Sequence, residues 1–321
     1  MVASILVTGG AGFIGSHLCE HLLRGGHRVT IVDSLDDYYA PQLKLANLDE
    51  VRQAGDFEFF PVDIRATGRL QAVFEKTRPE AVVHLAARAG VRASLLDPDL
   101  YVSVNVQGTL NLLELSRKYG VHRLVFASSS SVYGQANHVP FAENDPVTKP
   151  LSVYGATKIS GEALGFAYAH LYPLSVVCLR IFTAFGPRQR PDLAIRKFAQ
   201  LIEENKEVPL FGDGSMQRDY TYIDDVVAAF ERALEYHGSF EIFNLGNSRP
   251  VRLDYMVQAL EEALGKKAVR KPLPPQPGDM LVTYADLTKS RRLLGYDPQV
   301  GFEEGIRRFV EWLRLKNPPH Y

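Results

Sequence analysis

The stretch ILVTGGAGFIGSHL, residues 5–18, decides the fold, because a short apolar run passes through clustered glycines into residues with helical spacing. Glycines at this spacing allow a tight turn, let the backbone approach a pyrophosphate, and let a helix pack on a strand. The first turn of the helix then offers free N–H groups to phosphates. A glycine-rich turn without a ligand has the same appearance. The predicted dinucleotide contacts are Gly9, Gly12, Phe13, Ile14 and Gly15.

The rest of the chain repeats the alternation of strand and helix that this stretch begins. Apolar runs that continue without polar alternation, separated by helices, predict a parallel sheet covered on both faces. We therefore expect an α/β fold, a Rossmann-type doubly wound parallel sheet. Strands are predicted near 4–9, 28–33, 57–63, 81–86, 122–129 and 174–180, and helices over 13–24, 67–77, about 96–118 and 154–171.

The alternation of strands and helices becomes less regular after Arg180, where short strands and a Pro/Gly-rich segment interrupt the helices. We expect residues 1–180 to form the dinucleotide-binding domain. Residues 181–321 are expected to form a smaller, mixed α/β, mostly helical substrate domain, with the chain crossing between the two. The predicted helices of this second part lie near 191–205, 223–236, 253–264 and 302–315.

Composition excludes several classes of partner. The 321-residue chain has a formal net charge of −1 at pH 7, so nothing favours nucleic acid or an anionic membrane as a partner. Its two cysteines, Cys19 and Cys178, lie in apolar segments and suit a reducing compartment. There is no signal-peptide pattern, no apolar run long enough to span a membrane, and no predicted metal site. We expect a soluble protein of the cytoplasm.

The ends of the next strands favour NAD as the dinucleotide. Asp33 ends the second strand, where a carboxylate can accept both ribose hydroxyls of adenosine and would repel a 2′-phosphate. Asp63, with Ile64, ends the third strand and could reach the adenine edge or serve as a helix N-cap. The fourth strand ends in small residues that suit either a dinucleotide or tight helix packing. These are Leu85, Ala86 and Ala87.

Tyr154 and Lys158 lie four residues apart in SVYGATKISGE, residues 152–162, and so share one face of a predicted helix. To act as a base near pH 7, a phenol needs its pKa lowered by about 3 units, or about 4 kcal/mol. An ammonium ion ~4 Å away at an effective dielectric of ~20 supplies about that much. We therefore expect Tyr154 to be a base and Lys158 to activate it and bind the nicotinamide ribose; the alternative is an ordinary exposed helical pair.

Together these motifs resemble the extended short-chain dehydrogenase/reductase family, and within it the nucleotide-sugar 4-epimerases, most of all the UDP-glucuronate 4-epimerases. The resemblance rests on TGGAGFIG (8–15), Asp33, HLAA (84–87), ASSSSVYG (127–134) and YGATK (154–158), and it continues through RDYTYIDDVV (218–227). It implies that Ser129 joins Tyr154 and Lys158 in catalysis.

The same resemblance implies a UDP-sugar substrate and assigns residues to it. Arginine suits bidentate contact with phosphate oxygens, and the alternative for each arginine alone is a solvated surface charge. Val208 and Leu210 would line the uracil pocket. The other implied contacts are Arg92 in ARAGVRAS (87–94), Thr183 near the sugar and diphosphate, Arg190 and Arg218 on the phosphates, and Asp279 on the uridine ribose.

Four consecutive serines, Ser128 to Ser131, bear on the sugar. Related dehydratases carry Asp–Glu, and related decarboxylases carry Glu, where this chain has Ser130 and Ser131. Neutral hydroxyls cannot serve as acid and base for dehydration, but they can donate hydrogen bonds to an anion without titrating. Ser129, Ser130, Ser131 and Thr183 would therefore suit a sugar with a carboxylate at carbon 6. The alternative is that Ser130 and Ser131 only cap a turn.

The sequence thus predicts reversible 4-epimerisation of UDP-glucuronate and UDP-galacturonate, with NAD retained through each turnover. Three alternatives stay open: a UDP-glucose or UDP-N-acetylhexosamine 4-epimerase, net oxidoreduction, and a dinucleotide-binding scaffold without catalysis. The resemblance also implies a homodimer, held by a four-helix bundle from the helices near 96–118 and 154–171.

Overall fold

The computed structural model describes residues 3–135, 138–274 and 280–316. Strands and helices alternate through the first 181 residues, and a more mixed part follows. The strands are β1 (Ser4–Thr8), β2 (Arg28–Val32), β3 (Glu58–Phe60), β4 (Ala81–His84), β5 (Arg123–Ser129), β6 (Ser175–Ile181), β7 (Thr183–Phe185), β8 (Glu207–Phe211), β9 (Gln217–Tyr222), β10 (Phe240–Leu245), β11 (Pro250–Arg252), β12 (Val269–Leu273) and β13 (Val282–Thr283). The helices are α1 (Phe13–Arg24), α2 (Pro41–Ala54), α3 (Thr67–Thr77), α4 (Pro98–Val102), α5 (Gly108–Lys118), α6 (Val153–Leu171), α7 (Ala194–Glu203), α8 (Ile223–Glu235), α9 (Leu253–Leu264) and α10 (Phe302–Lys316).

A seven-stranded sheet in the order β10-β6-β5-β4-β1-β2-β3 organises the molecule, and all of its strand pairs are parallel. The register places Val7 of β1 between Ile31 of β2 and Val83 of β4. All three side chains are fully buried, as a sheet covered on both faces requires. The predicted α/β class and Rossmann-type sheet are confirmed. The strand order reverses between β1 and β4, which is where doubly wound sheets form their binding crevice.

The seventh strand, β10, comes from the C-terminal part of the chain. It pairs with β6 over six residues, with Phe243 opposite Leu179 at the centre. The rest of the C-terminal part forms two small sheets, one from β11, β9, β13 and β7 and one from β12 and β8, with α7–α10 packed around them. The division of the chain at residue 180 stays a prediction.

Two helical regions differ from the prediction. Helix α2 was not predicted, and the helix expected over about 96–118 is divided by a π-helical turn at Ser103–Gln107 between α4 and α5. The turn contains the buried Asn105, whose amide accepts from the Arg88 N–H (2.8 Å) and donates to the Arg88 carbonyl oxygen (2.9 Å). Its amide also donates to the Thr157 hydroxyl on α6 (3.0 Å). Such π-helical insertions are frequent at functional sites, and this one supports the loop after β4.

The described ranges contain no helix long and apolar enough to cross a membrane. Within the same ranges, no group of three or more His, Cys, Asp or Glu side chains could hold a metal ion. Both cysteines are free and buried. The predicted cytoplasmic location stays a prediction.

Candidate active site

A cleft runs along the carboxyl ends of β1, β2, β4, β5 and β6, the edge at which doubly wound sheets bind ligands. It brings together residues that are distant in sequence, from the glycine loop to the segment after β6. Of the predicted site residues, it is lined by Gly9, Gly12, Phe13, Ile14, Gly15, Asp33, Asp63, Ile64, Leu85, Ala86, Ala87, Ser129, Ser130, Ser131, Tyr154, Lys158, Thr183 and Arg190.

The glycine loop is packed so closely that two of its positions exclude any larger residue. Gly9 has a φ of +71°, in the left-handed region. A Cβ at Gly15 would lie 2.2 Å from the Gly9 carbonyl oxygen. A Cβ at Gly12 would meet only the Gly9 oxygen, at 3.1 Å, which is still a tight contact. Gly12 is the N-cap of α1, so the glycine loop brings bare backbone to the helix N-terminus, where phosphates bind.

Asp33 is buried at the end of β2 and is held by the glycine loop. One carboxylate oxygen accepts from the Ala11 N–H (3.1 Å) and the other from the Leu35 N–H (2.9 Å). Burial raises the pKa of Asp33, while these hydrogen bonds and the charge of Lys44 oppose the shift. Lys44, also buried, donates to the Asp36 carbonyl oxygen (2.5 Å). The unused lone pairs of Asp33 remain available to ribose hydroxyls.

Asp63 is not a helix N-cap, because the N-cap of α3 is Ala66. Its carboxylate accepts instead from the Arg65 backbone N–H (2.8 Å) and forms an ion pair with the Arg65 guanidinium (2.6 Å). The Arg65 hydrogen bonds lower the pKa of Asp63. The adenine contact predicted for Asp63 and Ile64 stays a prediction, and both residues line the cleft.

The four serines have three different environments. Ser128 is buried and donates to the Glu162 carboxylate (2.6 Å). Ser129 caps the 3₁₀ turn Ser130–Tyr133 by accepting from the Ser131 N–H (3.1 Å), and it donates to the Ser131 hydroxyl (3.2 Å). The turn is therefore capped by Ser129 rather than by the two serines that follow it. Ser130 and Ser131 both line the cleft.

Tyr154 and Lys158 lie in the first two turns of α6, whose N-terminus is capped by the Ser152 hydroxyl accepting from the Gly155 N–H (3.0 Å). The Lys158 ammonium donates to the Ala127 carbonyl oxygen on β5 (2.7 Å) and lies 5.8 Å from the centre of the Tyr154 ring. The helix therefore places both side chains beside the end of β5.

The pKa of Tyr154 is raised in this structure, whereas the sequence-based expectation was a lowered pKa. Burial is the dominant cause, and a hydrogen bond with Ser129 and the positive charge of Arg190 oppose it. Lys158 is not among the causes of this shift, and its ammonium donates to the Ala127 carbonyl oxygen. The activating groups on the phenol are therefore Ser129 and Arg190.

Sequence reasoning missed a group of aromatic and charged residues at the mouth of the cleft. The Tyr38 ring lies between two guanidinium groups, 5.1 Å from that of Arg88 and 5.4 Å from that of Arg190. Arg88 forms an ion pair with Asp36, and Arg190 forms a two-pronged one with Asp192 (2.9 and 2.7 Å). Because Tyr38 belongs to a loop that carried no motif, only the fold places it here.

Several predicted substrate contacts lie away from this cleft. Arg92 stacks on the Phe211 ring of β8 at 5.3 Å, which joins the loop after β4 to the predicted base pocket. Leu210 is partly buried in β8. Val208 is fully buried in the same strand, so it has no exposed surface with which to make the expected contact with a base. Arg218 donates to the Met280 carbonyl oxygen (2.7 Å). Asp279 lies outside the described residues.

The residues present fit NAD. Gly12, the N-cap of α1, suits a pyrophosphate, and the Asp33 carboxylate suits an unphosphorylated ribose. Leu85 to Ala87, after β4, line the cleft on the other side of β1 from Asp33. Tyr154 and Lys158 lie beside the end of β5, the next strand, where the nicotinamide would meet a substrate.

The family model, the relatives and the solved structures that match this chain agree with one another. The NAD dependent epimerase/dehydratase family matches residues 5–246. The chain is 45% identical over 309 residues to a UDP-glucuronate 4-epimerase of Thermodesulfobacterium geofontis, covering 96% of this chain and 95% of that protein. Among solved structures, a UDP-glucuronic acid 4-epimerase from Bacillus cereus, in complex with UDP-glucuronic acid and NAD, superposes with a TM-score of 0.90 at 36% identity, covering 98% of this chain and 99% of that one. A UDP-glucose 4-epimerase from Thermotoga maritima, with UDP-glucose, gives a TM-score of 0.87, also at 36% identity, covering 98% and 99%.

Proposed function

The chain belongs to the NAD-dependent epimerase/dehydratase family, and from this premise we propose that it interconverts UDP-glucuronate and UDP-galacturonate. The observation that carries the proposal is the grouping of Ser129, Tyr154 and Lys158 at one end of the cleft, beside the neutral hydroxyls of Ser130 and Ser131. The fold alone does not choose between acid and neutral sugars, because relatives of both kinds superpose about equally well.

Tyr154 is the acid and base of the proposed reaction. Its phenolate accepts the proton of the sugar's carbon-4 hydroxyl as the carbon-4 hydrogen leaves with its electron pair, and a ketone forms. NAD, held by the glycine loop and Asp33, would supply the hydride acceptor for carbon 4 and, once the 4-keto sugar has turned over in the site, the hydride donor for the other face. Tyr154 gives the proton back to the carbon-4 oxygen, so protein and cofactor end the turnover unchanged. Ser129, hydrogen-bonded with Tyr154, holds the phenol in place for both transfers.

The sugar carboxylate is assigned to the hydroxyls of Ser130, Ser131 and Thr183 and to Arg190. All four residues line the same cleft as Tyr154, and the Arg190 charge acts on the Tyr154 phenol. We therefore assign Arg190 to the carboxylate rather than to the phosphates. An acid at position 130 or 131 would repel this substrate, whereas a hydroxyl donates to it without titrating.

Holding the carboxylate also protects the intermediate. Oxidation at carbon 4 makes a β-keto acid. Such an acid loses carbon dioxide when the bond from carbon 5 to the carboxylate lies parallel to the π orbitals of the ketone. Hydrogen bonds from Ser130, Ser131 and Thr183 fix the carboxylate away from that alignment. The proposed epimerase therefore differs from a decarboxylase in how it orients one group.

The triple variant Ser130→Ala, Ser131→Ala, Thr183→Ala is expected to raise the KM for UDP-glucuronate at least tenfold and to release UDP-pentose. The physical reason is the loss of charge-assisted hydrogen bonds, each worth about 1.5–3 kcal/mol. Product ratios are measured by chromatography, and inhibition by UDP, which lacks the sugar, is the control and should be unchanged. An unchanged KM with no UDP-pentose would contradict the proposal that these three hydroxyls bind the sugar carboxylate.

The substrate is tested by incubating the purified protein with UDP-glucuronate, without added NAD, and following the anomeric protons by NMR. Appearance of UDP-galacturonate supports both the acid substrate and a retained cofactor. Conversion of UDP-glucose alone would keep the mechanism and replace the substrate with that of the neutral-sugar epimerases. Net accumulation of NADH would indicate oxidoreduction.

We also propose that a second copy of the chain covers an apolar face formed by α4, α6 and the turn before α4. Four large apolar side chains are strongly exposed there: Leu96 (87%), Val102 (49%), Phe166 (56%) and Leu171 (65%). The elements that carry these residues pack against each other. Patches of this kind on soluble chains are typical of interfaces.

Light scattering is expected to give twice the chain mass of 35.8 kDa for the protein at micromolar concentration. The double variant Phe166→Glu, Leu171→Glu should be monomeric because it buries two charges in the proposed interface. Leu315→Glu is the matched control, since Leu315 is 82% exposed on α10, and it should remain dimeric. A monomeric parent protein would contradict the proposed dimer.

A further inference from the structure

Glu162 is a buried carboxylate directly behind the catalytic residues. It lies on α6 one turn after Lys158, is only 5% exposed, and does not line the cleft. One oxygen accepts from the Ser128 hydroxyl (2.6 Å) and from Arg180 Nε (2.9 Å), and the other accepts from Arg180 Nη2 (2.8 Å). Both the strand that leads into Ser129 and the neighbouring strand β6 are thereby tied to α6.

The other groups that face Lys158 are neutral or already paired. On β4, burial lowers the pKa of His84 to about 3, so its ring is uncharged near pH 7. On β6, burial raises the pKa of the Cys178 thiol, so the thiol is neutral. Arg180 on the same strand donates to both carboxylate oxygens of Glu162. From β5 come the Ala127 carbonyl oxygen at 2.7 Å and the Phe126 ring, and from α6 itself the Tyr154 phenol.

We propose that Glu162 is a positioning residue of the proposed reaction: its carboxylate, fixed by Arg180 and Ser128, keeps Lys158 an ammonium ion at the end of β5. The inference rests on the proposed function, because there Lys158, as an ammonium ion, donates to the ribose of the bound cofactor beside Tyr154. Glu162 touches neither substrate nor cofactor, so it acts through Lys158.

Burial alone works against this charge. The pKa of Lys158 is lowered to about 8 with burial as the largest cause, although the negative charge of Glu162, the largest effect that opposes burial, is already included. Arg180 in turn pairs with both oxygens of the buried Glu162 carboxylate, which compensates the cost of burying the charge. The pair therefore sets the upper pH limit at which Lys158 remains charged.

Glu162→Gln is expected to move the alkaline limb of the kcat/KM profile for UDP-glucuronate to lower pH by about one unit. The sign follows because activity is lost as Lys158 deprotonates, and removing the carboxylate lowers the pKa at which this occurs. Glu162→Asp keeps the anion and should shift the limb less. Lys158 is also titrated directly in the purified protein by ¹³C NMR of ε-labelled lysines, with Lys158→Met used to assign the signal.

Two further variants separate this role from a structural one. Glu162→Gln leaves Arg180 unpaired and destabilises the fold, so the double variant Glu162→Met, Arg180→Met removes the whole pair and should show the same shift. Glu20→Gln is the matched control: Glu20 is also a buried helical carboxylate, paired with Arg188, but it does not face Lys158. It should lower the melting temperature without moving the alkaline limb.

A titration of Lys158 that is the same in the parent, the Gln variant and the double variant would overturn the proposal. Because the NMR titration needs no substrate, that result is distinct from failure of the proposed function, which appears as a parent protein inactive on UDP-glucuronate. A downward shift in both variants, with Glu20→Gln unshifted, supports the proposal.

Discussion

Tyr154→Phe is expected to lower kcat for UDP-glucuronate about 10³-fold, because the variant has no group to take the carbon-4 hydroxyl proton. Phenylalanine keeps the ring that lies edge-on to Tyr101 (6.4 Å between centres). The fold, the retained cofactor and the affinity for UDP should therefore be nearly unchanged. Steady-state kinetics measure the loss of kcat, and the NAD released on denaturation measures whether the cofactor is retained.

Tyr133→Phe is the matched control for that variant. Tyr133 is buried, and its hydroxyl donates to Asn244 (2.6 Å), so its loss removes a structural hydrogen bond. The free energy of unfolding should fall by about 1 kcal/mol, with kcat within a few-fold of the parent. A Tyr154→Phe variant as active as Tyr133→Phe would contradict the assignment of Tyr154 as the base.

Gly15→Ala is expected to abolish cofactor retention and to lower the free energy of unfolding by about 3 kcal/mol. The added Cβ would lie 2.2 Å from the Gly9 oxygen and 2.7 Å from the Gly10 Cα, so only a backbone shift could relieve the clash. That shift would displace the loop from the phosphates. Thermal unfolding and the NAD content of the purified protein measure the effect.

Gly68→Ala is the control for the glycine loop. Gly68 lies in the first turn of α3 with nothing within 4 Å of an added Cβ, and its φ is not positive. Alanine there should leave NAD content unchanged and alter stability by less than about 1 kcal/mol, in the stabilising direction. A Gly15→Ala protein that retains NAD as Gly68→Ala does would contradict the proposed role of the loop.

Hydrophobic patterning predicted the sheet well because its strands are buried on both faces and its helices are amphipathic. Helices α1 and α3 have the predicted bounds. Helix α2 was missed because its buried face includes polar residues, Lys44 and Asn47, which hydrogen-bond to the Asp36 and Ala11 carbonyl oxygens. Leu45 on the same helix is 46% exposed. Hydrogen bonds to distant residues therefore determine which face of α2 is buried, and the periodicity of apolar residues cannot show them.

The candidate site was predictable where a local motif specifies it and not where the sheet assembles it. Tyr154 and Lys158 are one helical turn apart, so their spacing showed that they share a face. Glu162 and Arg180 meet across a helix–sheet interface, and the sequence contains no spacing that pairs them. The raised pKa of Tyr154 was missed for a similar reason, since burial, its largest cause, depends on the assembled fold.

The central claim is that hydride leaves carbon 4 and returns to the same carbon within one site. It is tested most directly with UDP-glucuronate deuterated at carbon 4, incubated with the purified protein in ordinary water. The account predicts UDP-galacturonate with the deuterium retained at carbon 4, because Tyr154 exchanges only the hydroxyl proton and the hydride stays within the site. UDP-galacturonate with hydrogen at carbon 4 would contradict it, since the carbon–hydrogen bond would then have been remade from solvent.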